Sequence, residues 1–364
     1  MKVLHVSPTY FGDDSVIGGG ERHACELARA MARRHDVALL SFAAEPRSTR
    51  DGRLRTVYLR RRRLAGGPDL SALSPGFFRW VRWADVIHCH QVRTLSTDAA
   101  VTWGRLLGTP TFVSDLGGGE RYALSYHLPI LRWPRAFLLI SEYSRRLALE
   151  EPARTRPNRV EVVYGGVDPE RFSPGPAEPG GGALFVGRLL PHKGIDVLIE
   201  AVDGTFALDV VGRVYDPRYF ADLKERSRGK PVRFHTSVAD AELVERYRRA
   251  LVTVLPSVYE DCYGRRTRIP ELLGLAALES LACGTPAIVT DVASLPECVR
   301  DGITGFVVPP NDARAIRERI HYLAAHPERA AEMGRRGRED VLARFTWDAE
   351  AARCEAAYLG EGRA

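Results

Sequence analysis

An apolar run of strand length followed by an amphipathic stretch of helix length recurs along this chain, and the rhythm breaks once, at residues 165–182 (GGVDPERFSPGPAEPGGG). That stretch is rich in glycine and proline, has no periodicity and reads as an interdomain linker. Before it, strands are expected at 2–7, 37–42, 55–59, 85–90, 111–114, 138–141 and 160–164, with helices at 21–34, 75–83 and 99–107 and another in SEYSRRL. After it come strands at 183–186, 208–212, 232–235, 253–256 and 287–290. Helices are expected there at 195–202, 219–226, 240–249, from near 273 to 282, 313–324, 327–345 and 347–359. Such alternation predicts an α/β fold of two doubly wound parallel sheets, Rossmann-like, facing a cleft, with ligands at the C-terminal strand ends. At 364 residues and 45% hydrophobic content there is material for two cores.

The residues with most chemistry lie between 259 and 311. Glu271 and Glu279 stand eight apart around Gly274, at the mouth and on the body of a helix with an apolar stripe at Leu275, Leu278, Leu281 and Ala282. A helix mouth favours an anionic group such as a diphosphate, and the eight-residue spacing lets both carboxylates flank one ligand there. A carboxylate accepts vicinal hydroxyls, which suits a ribose or a hexose. Either glutamate alone would be ordinary, but Glu279 sits among Ala276, Ala277, Leu278, Leu281 and Ala282, where a charge needs a partner or a ligand. Glu260 rivals Glu271 for the first place, yet only Glu271 keeps the spacing and the following Gly274-Leu275. In GRLLPHKG, Arg188 and Lys193 flank a turn that opens a helix, which could be a structural ion-pair site or a diphosphate clamp.

Near the N-terminus, Gly12 and Gly18-Gly19-Gly20 link the first strand to the first helix, and Asp115-Leu116-Gly117-Gly118-Gly119 forms a second glycine loop. Neither has the G-x-G-x-x-G spacing, and no acid closes the second strand, so a dehydrogenase is disfavoured. His88-Cys89-His90 invites a metal, but the sequence places no further ligand nearby and holds no D-x-D; no metal is expected. Six cysteines without a C-x-x-C pair read as reduced thiols.

The run from Glu271 through ACGTPAIVTD, LPECV and DGITGFVVPPND resembles the nucleotide-sugar signature of the retaining glycosyltransferases of family 4, which have the GT-B fold; the resemblance covers almost the whole chain and is strongest at 183–312. One departure is the insertion at 261–270. The resemblance implies an N-terminal acceptor domain (1–168), a C-terminal nucleotide-sugar domain (169–345) and a last helix (346–364) crossing back to the first domain. It implies that Arg188 and Lys193 neutralise the leaving nucleoside diphosphate, that Glu271 and Glu279 hold donor hydroxyls, and that Gly274 and Leu275 offer amides. Gly19 and Gly20 would lie beside the donor phosphates. Family members often carry a histidine close to the Asp115 position; Leu116 stands there, leaving His90 and Asp115 as candidates on the acceptor side. The implied activity is retaining, metal-independent transfer of a sugar from a UDP- or GDP-linked donor to a glycan, lipid-linked or small-molecule acceptor, with no cofactor. An epimerase or phosphorylase of the same build and a non-catalytic nucleotide-sugar-binding protein are the alternatives.

The net charge of +6 is carried by scattered arginines, which argues against a nucleic-acid groove. Arg60, Arg61, Arg62 and Arg63 form a dense basic run, and Phe77, Phe78, Trp80, Val81 and Trp83 with Arg79 and Arg82 could line a membrane surface or pack on the sheet. No apolar run is long enough for a signal peptide or a bilayer span, so the expected location is cytoplasmic, with peripheral contact at the inner membrane face left open.

Overall fold

The structure, a computed structural model, describes residues 1–8, 19–63, 72–117, 123–176 and 181–361. It divides into two compact units, Met1–Gly166 with Trp347–Ala364, and Val167–Thr346.

Unit 1 holds an eight-stranded sheet. Its strands are β1 (Lys2–Val6), β2 (Asp36–Ala43), β3 (Arg47–Asp51), β4 (Leu54–Arg60), β7 (Val86–Cys89), β8 (Thr111–Val113), β9 (Ala136–Leu139) and β10 (Val160–Val162); β5 (Arg62–Arg63) and β6 (Ala72–Leu73) pair separately. The order is β10-β9-β8-β7-β1-β2-β4-β3, parallel throughout except for β3 against β4. Alternation along β1 sends Val3 and His5 to one face and Leu4 and Val6 to the other. The first face is covered by α1 (Gly19–Ala32) and α12 (Trp347–Leu359), the second by α2 (Phe77–Trp83) and α3 (Leu95–Leu107); α4 (Glu142–Leu149) follows β9. In α2, Phe77, Trp80 and Val81 are buried, so these aromatics serve the core.

Unit 2 holds a six-stranded parallel sheet of β11 (Ala183–Val186), β12 (Leu208–Val211), β13 (Val232–His235), β14 (Val252–Leu255), β15 (Ala287–Thr290) and β16 (Gly305–Val308), ordered β13-β12-β11-β14-β15-β16. Its helices are α5 (Ile195–Ala201), α6 (Pro217–Arg226), α7 (Asp240–Arg249), α8 (Leu275–Ala282), α9 (Leu295–Cys298), α10 (Ala313–Ala325) and α11 (Pro327–Arg344).

The edge strand β16 and the short helix α9 were not expected, β9 lies two residues before its expected place, and four further differences have a clear physical cause. The hairpin partner β3 is fully exposed and polar, so it carries no apolar alternation; its signal is Asp51-Gly52, with Gly52 at φ 56° making the turn. Helix α3 begins four residues before the expected 99, because Thr94 caps it by accepting from the Thr97 N–H (3.2 Å). From Val167 to residue 176 the expected linker is part of unit 2: Phe172 is buried against Tyr247 (6.0 Å between centroids) and Arg248 donates to the Ser173 carbonyl (2.7 Å). Residues 177–180, Gly12, Gly18, Gly118 and Gly119 lie outside the described residues.

The fourth is a correction. His88 and His90 do have a further ligand-type residue beside them, because parallel pairing sets His5 opposite His88. One ring nitrogen of each lies within 4.8 Å of the others, and all three rings are buried. The hydrogen bonds fix the tautomers. The Ser114 hydroxyl donates to the Leu138 carbonyl (2.7 Å), so it accepts from His88 Nε2 (2.8 Å) and His88 Nδ1 accepts from the Tyr358 hydroxyl of α12 (2.6 Å). Met31 Sδ only accepts, so His5 Nε2 carries its proton (3.3 Å) and His5 Nδ1 accepts from His90 Nε2 (2.7 Å). His90 Nδ1 is then a buried lone pair without a hydrogen-bond partner among the described residues. Nearby, His23 of α1 meets Glu350 of α12 (2.8 Å) and Trp347 edge-on (5.4 Å).

Candidate active site

In unit 2, β11 is flanked by β12 and β14, so the winding direction reverses between β11 and β14. Ligands of open α/β sheets bind outside the C-terminal strand ends at such a point. The loops leaving those two strands carry the predicted residues.

After β11, residues 191–193 form a single 3-10 turn that ends on Gly194 with φ +64°. A Cβ on Gly194 would lie 2.0 Å from the Pro256 carbonyl oxygen, so only glycine lets this turn press against the loop after β14. The Val258 N–H completes the contact by donating to the His192 carbonyl (2.9 Å). The result sets Lys193 beside Glu271. Lys193 Nζ donates to Glu271 Oε1 (2.5 Å) and to the Pro270 carbonyl (3.3 Å), while Ser257 Oγ donates to the same Oε1 (2.9 Å). Both side chains are nearly buried, at 11% and 12% exposure. Glu260, the rival, pairs instead with Arg266 on the surface (2.7 Å).

The insertion at 261–270 is a tight turn. Asp261 accepts from the Tyr263 and Arg265 N–H groups (2.9 and 3.0 Å), and Gly264 turns at φ +74°. Tyr263 packs edge-on against Tyr219 (6.4 Å) and donates to Asp222, which fastens the insertion to α6. Its last carbonyl, of Pro270, is the one that Lys193 meets.

Helix α8 starts at Leu275 with Gly274 as its N-cap. This corrects the expected start near 273: Glu271 lies in the loop, four residues before the helix, so its direction is set by Lys193 and Ser257, and the helical spacing from Glu279 does not apply. Gly274 is crowded, since a Cβ there would lie 2.8 Å from Leu295. Glu279 is buried in α8 and accepts from the buried Tyr247 hydroxyl of α7 (2.8 Å). Burial had predicted a partner for this charge, but nothing in the sequence singled out Tyr247.

Arg188 is exposed, with its guanidinium over the Tyr215 ring (5.6 Å). His192, not anticipated from sequence, is half-buried beside Lys193 in the chain: burial and then the Lys193 charge push its imidazole down to about 4, so it is neutral near pH 7.

The remaining predicted residues belong to unit 1. Gly19 and Gly20 open α1. Asp115 is half-buried, accepts from the Gly117 N–H (3.0 Å) and has its carboxyl raised by burial. His90 is a correction as an open acceptor contact: its ring is inside the sheet face and its Nε2 is held by His5. The six cysteines are free thiols, and burial pushes Cys283 and Cys298 up to about 12. No helix among the described residues is long and apolar enough to cross a membrane.

Two family models match the chain: "Glycosyltransferase Family 4" over residues 17–171 and "Glycosyl transferases group 1" over 167–340. A D-inositol 3-phosphate glycosyltransferase of Streptomyces bingchenggensis is 32% identical over 54% of this chain and 46% of its own length. An alpha-maltose-1-phosphate synthase of Mycobacterium tuberculosis is 29% identical over 64% of this chain and 65% of its own. The matched segments thus span about half to two thirds of these relatives. Among solved structures, sucrose-phosphate synthase from Thermosynechococcus elongatus superposes with a TM-score of 0.75 at 22% identity, over 99% of both chains. The Anabaena protein HepE, solved with UDP-glucose, gives 0.72 at 15%, over 98% of this chain and 100% of its own. At these identities the likeness establishes the fold.

Proposed function

We propose, from the premise that this chain belongs to the family 4 glycosyltransferases and has their GT-B fold, that it moves a sugar from a nucleoside diphosphate to an acceptor hydroxyl with retention and without a metal. The observation that carries this reading is the nearly buried Lys193–Glu271 pair at the switch point of the unit 2 sheet. A buried pair of charges at a ligand-binding position stabilises the fold weakly and is better explained by the task each charge performs.

Glu279 takes the ribose hydroxyls and Glu271 the hydroxyls of the donor sugar. Arg188, Lys193 and the amides near Gly274 and Leu275 receive the departing diphosphate, as fixed positive charge aimed at where negative charge develops. The bond from the anomeric carbon to the diphosphate oxygen breaks while the acceptor oxygen bonds on the same face, and the acceptor proton passes to the leaving oxygen. Two cations on the protein replace the divalent ion that other transferases use. Relatives named for D-inositol 3-phosphate and for alpha-maltose-1-phosphate, and a neighbour solved with UDP-glucose, favour a UDP-linked donor and admit a phosphorylated small acceptor.

The deciding experiment is thermal unfolding in EDTA with UDP, GDP, ADP or dTDP. A ligand at 100 times its Kd adds about 2.7 kcal/mol to the folded state. One diphosphate should raise the melting temperature and lose that effect in Glu279→Ala; silence from all four would overturn the reading.

A further inference from the structure

The two units differ in charge. Unit 1 carries 27 Lys and Arg against 20 Asp and Glu, and unit 2 carries 25 against 26, so the whole positive excess belongs to unit 1. On unit 1, α3 ends in three apolar side chains that face water: Trp103 (41% exposed), Leu106 (68%) and Leu107 (43%). Spaced at i, i+3 and i+4, they share one stretch of helix surface. The Trp103 ring meets Phe78 of α2 at 4.7 Å between centroids, which carries the patch across to the neighbouring helix. The core does not use these residues. It draws Phe77, Trp80 and Val81 from α2 and Ala100, Val101 and Gly104 from α3.

The same two helices carry three exposed arginines. Arg82 is four residues on from Phe78, Arg79 is next to it, and Arg105 lies between Trp103 and Leu106 in sequence, its guanidinium over Trp133 (5.1 Å). Among the described residues none of the three has a carboxylate partner, whereas arginines elsewhere on the molecule are widely paired, as Arg33 is with Asp348 and Arg145 with Glu142. An exposed apolar cluster with uncompensated cations on the same two helices is unfavourable in water and complementary to a surface that is apolar beneath and anionic on top.

We infer that this α2–α3 face docks on the surface of an anionic lipid bilayer. Trp103, Leu106 and Leu107 enter the boundary between headgroups and acyl chains, and Arg79, Arg82 and Arg105 meet lipid phosphates, their stems adding to the apolar contact. A second copy of this chain is a poorer occupant, since two-fold pairing of the face would oppose the same arginines. The inference goes beyond sugar transfer and stands whether or not that reading holds.

The test is co-sedimentation of the full chain with vesicles of phosphatidylcholine alone and of phosphatidylcholine mixed with phosphatidylglycerol. Binding should require phosphatidylglycerol and weaken as salt rises. Each basic residue near such a surface is worth about fivefold in partitioning, so Arg79→Glu with Arg82→Glu should lower it by roughly 30-fold or more. Leu106→Ser with Leu107→Ser leaves the charge unchanged and should lower it about tenfold, with an unchanged melting curve as the control for folding. Binding indifferent to lipid charge, no binding, or serine variants that bind as the parent does would overturn the inference. So would analytical ultracentrifugation showing a dimer that the serine variants dissolve, since the patch would then be a protein interface.

Discussion

Lys193 and Glu271 are 78 residues apart in the chain and their charged atoms lie 2.5 Å apart. Each therefore fixes the other, and neither can be removed without leaving a nearly buried charge alone. Lys193→Ala should cost about 3 kcal/mol of unit 2 stability in urea unfolding, the low end for breaking a buried pair. It should also lower kcat by about 100-fold or more, with a smaller change in diphosphate affinity by calorimetry, if it acts on developing charge. Adding Glu271→Gln should restore much of the stability and none of the turnover. An unchanged kcat in the single variant would remove Lys193 from the chemical step.

Glu279 depends on Tyr247 in a similar way. Tyr247→Phe deletes the hydroxyl that holds Oε2 and should cost about 1–3 kcal/mol, the penalty for losing a buried hydrogen bond to a charged group. Donor affinity should fall by about tenfold as the carboxylate loses its orientation. Equal affinity in titration calorimetry would mean that Glu279 is not aimed by Tyr247.

Two glycines with the same handedness should respond differently to alanine. Gly194 (φ +64°) has the Pro256 carbonyl 2.0 Å from its would-be Cβ, while Gly229 (φ +73°) faces open space. Gly229→Ala should cost about 1–2 kcal/mol for the left-handed backbone alone. Gly194→Ala must in addition push the loop from Ser257, which should raise the cost further and reduce turnover. Denaturation midpoints and kcat separate the two effects.

The histidines of unit 1 make it acid-sensitive. Burial is the main cause that brings His5 down from 6.5 to about 3, with the nearby His23 adding to it, and burial likewise depresses His88 and His90. A base depressed in the folded state stabilises the fold while neutral, so this contribution is complete above pH 6.5 and is lost as pH falls from 6.5 toward 3. His5 alone should lower stability by about 2 kcal/mol between pH 7.5 and pH 5. Melting temperature against pH should show this slope, reduced in His5→Gln. A flat profile would mean that the cluster is hydrated or already charged.

Much of the fold was readable because hydrophobic periodicity is local. Strands β11, β13 and β15 and helices α7 and α12 have the bounds that their apolar patterns predict. What escaped depends on contacts between distant parts of the chain or on capping chemistry. The polar strand β3 shows no alternation, the first turn of α3 looks like a loop until Thr94 is seen as its cap, and His5 joins His88 only through strand register. At the candidate site the residue types were legible from spacing, but the pairing of Lys193 with Glu271 and of Tyr247 with Glu279 was not, since no local rule connects loops so far apart. The role first given to the helix mouth also shifted, because Glu271 precedes α8 and takes its direction from a lysine.

Helix α12 completes the first unit from the far end of the chain. Its Tyr358 caps His88 and its Glu350 and Trp347 enclose His23, while the 180 residues of unit 2 lie between Gly166 and Trp347. On the ribosome, at about 5–20 residues per second, roughly 10–40 s separate synthesis of the sheet from synthesis of the helix that covers it. Throughout that interval unit 1 has an uncovered apolar face along α1, and unit 2, whose residues are contiguous, can finish folding first. Unit 1, whose sheet is made before unit 2, is therefore closed after it, and it is the part that a chaperone would meet.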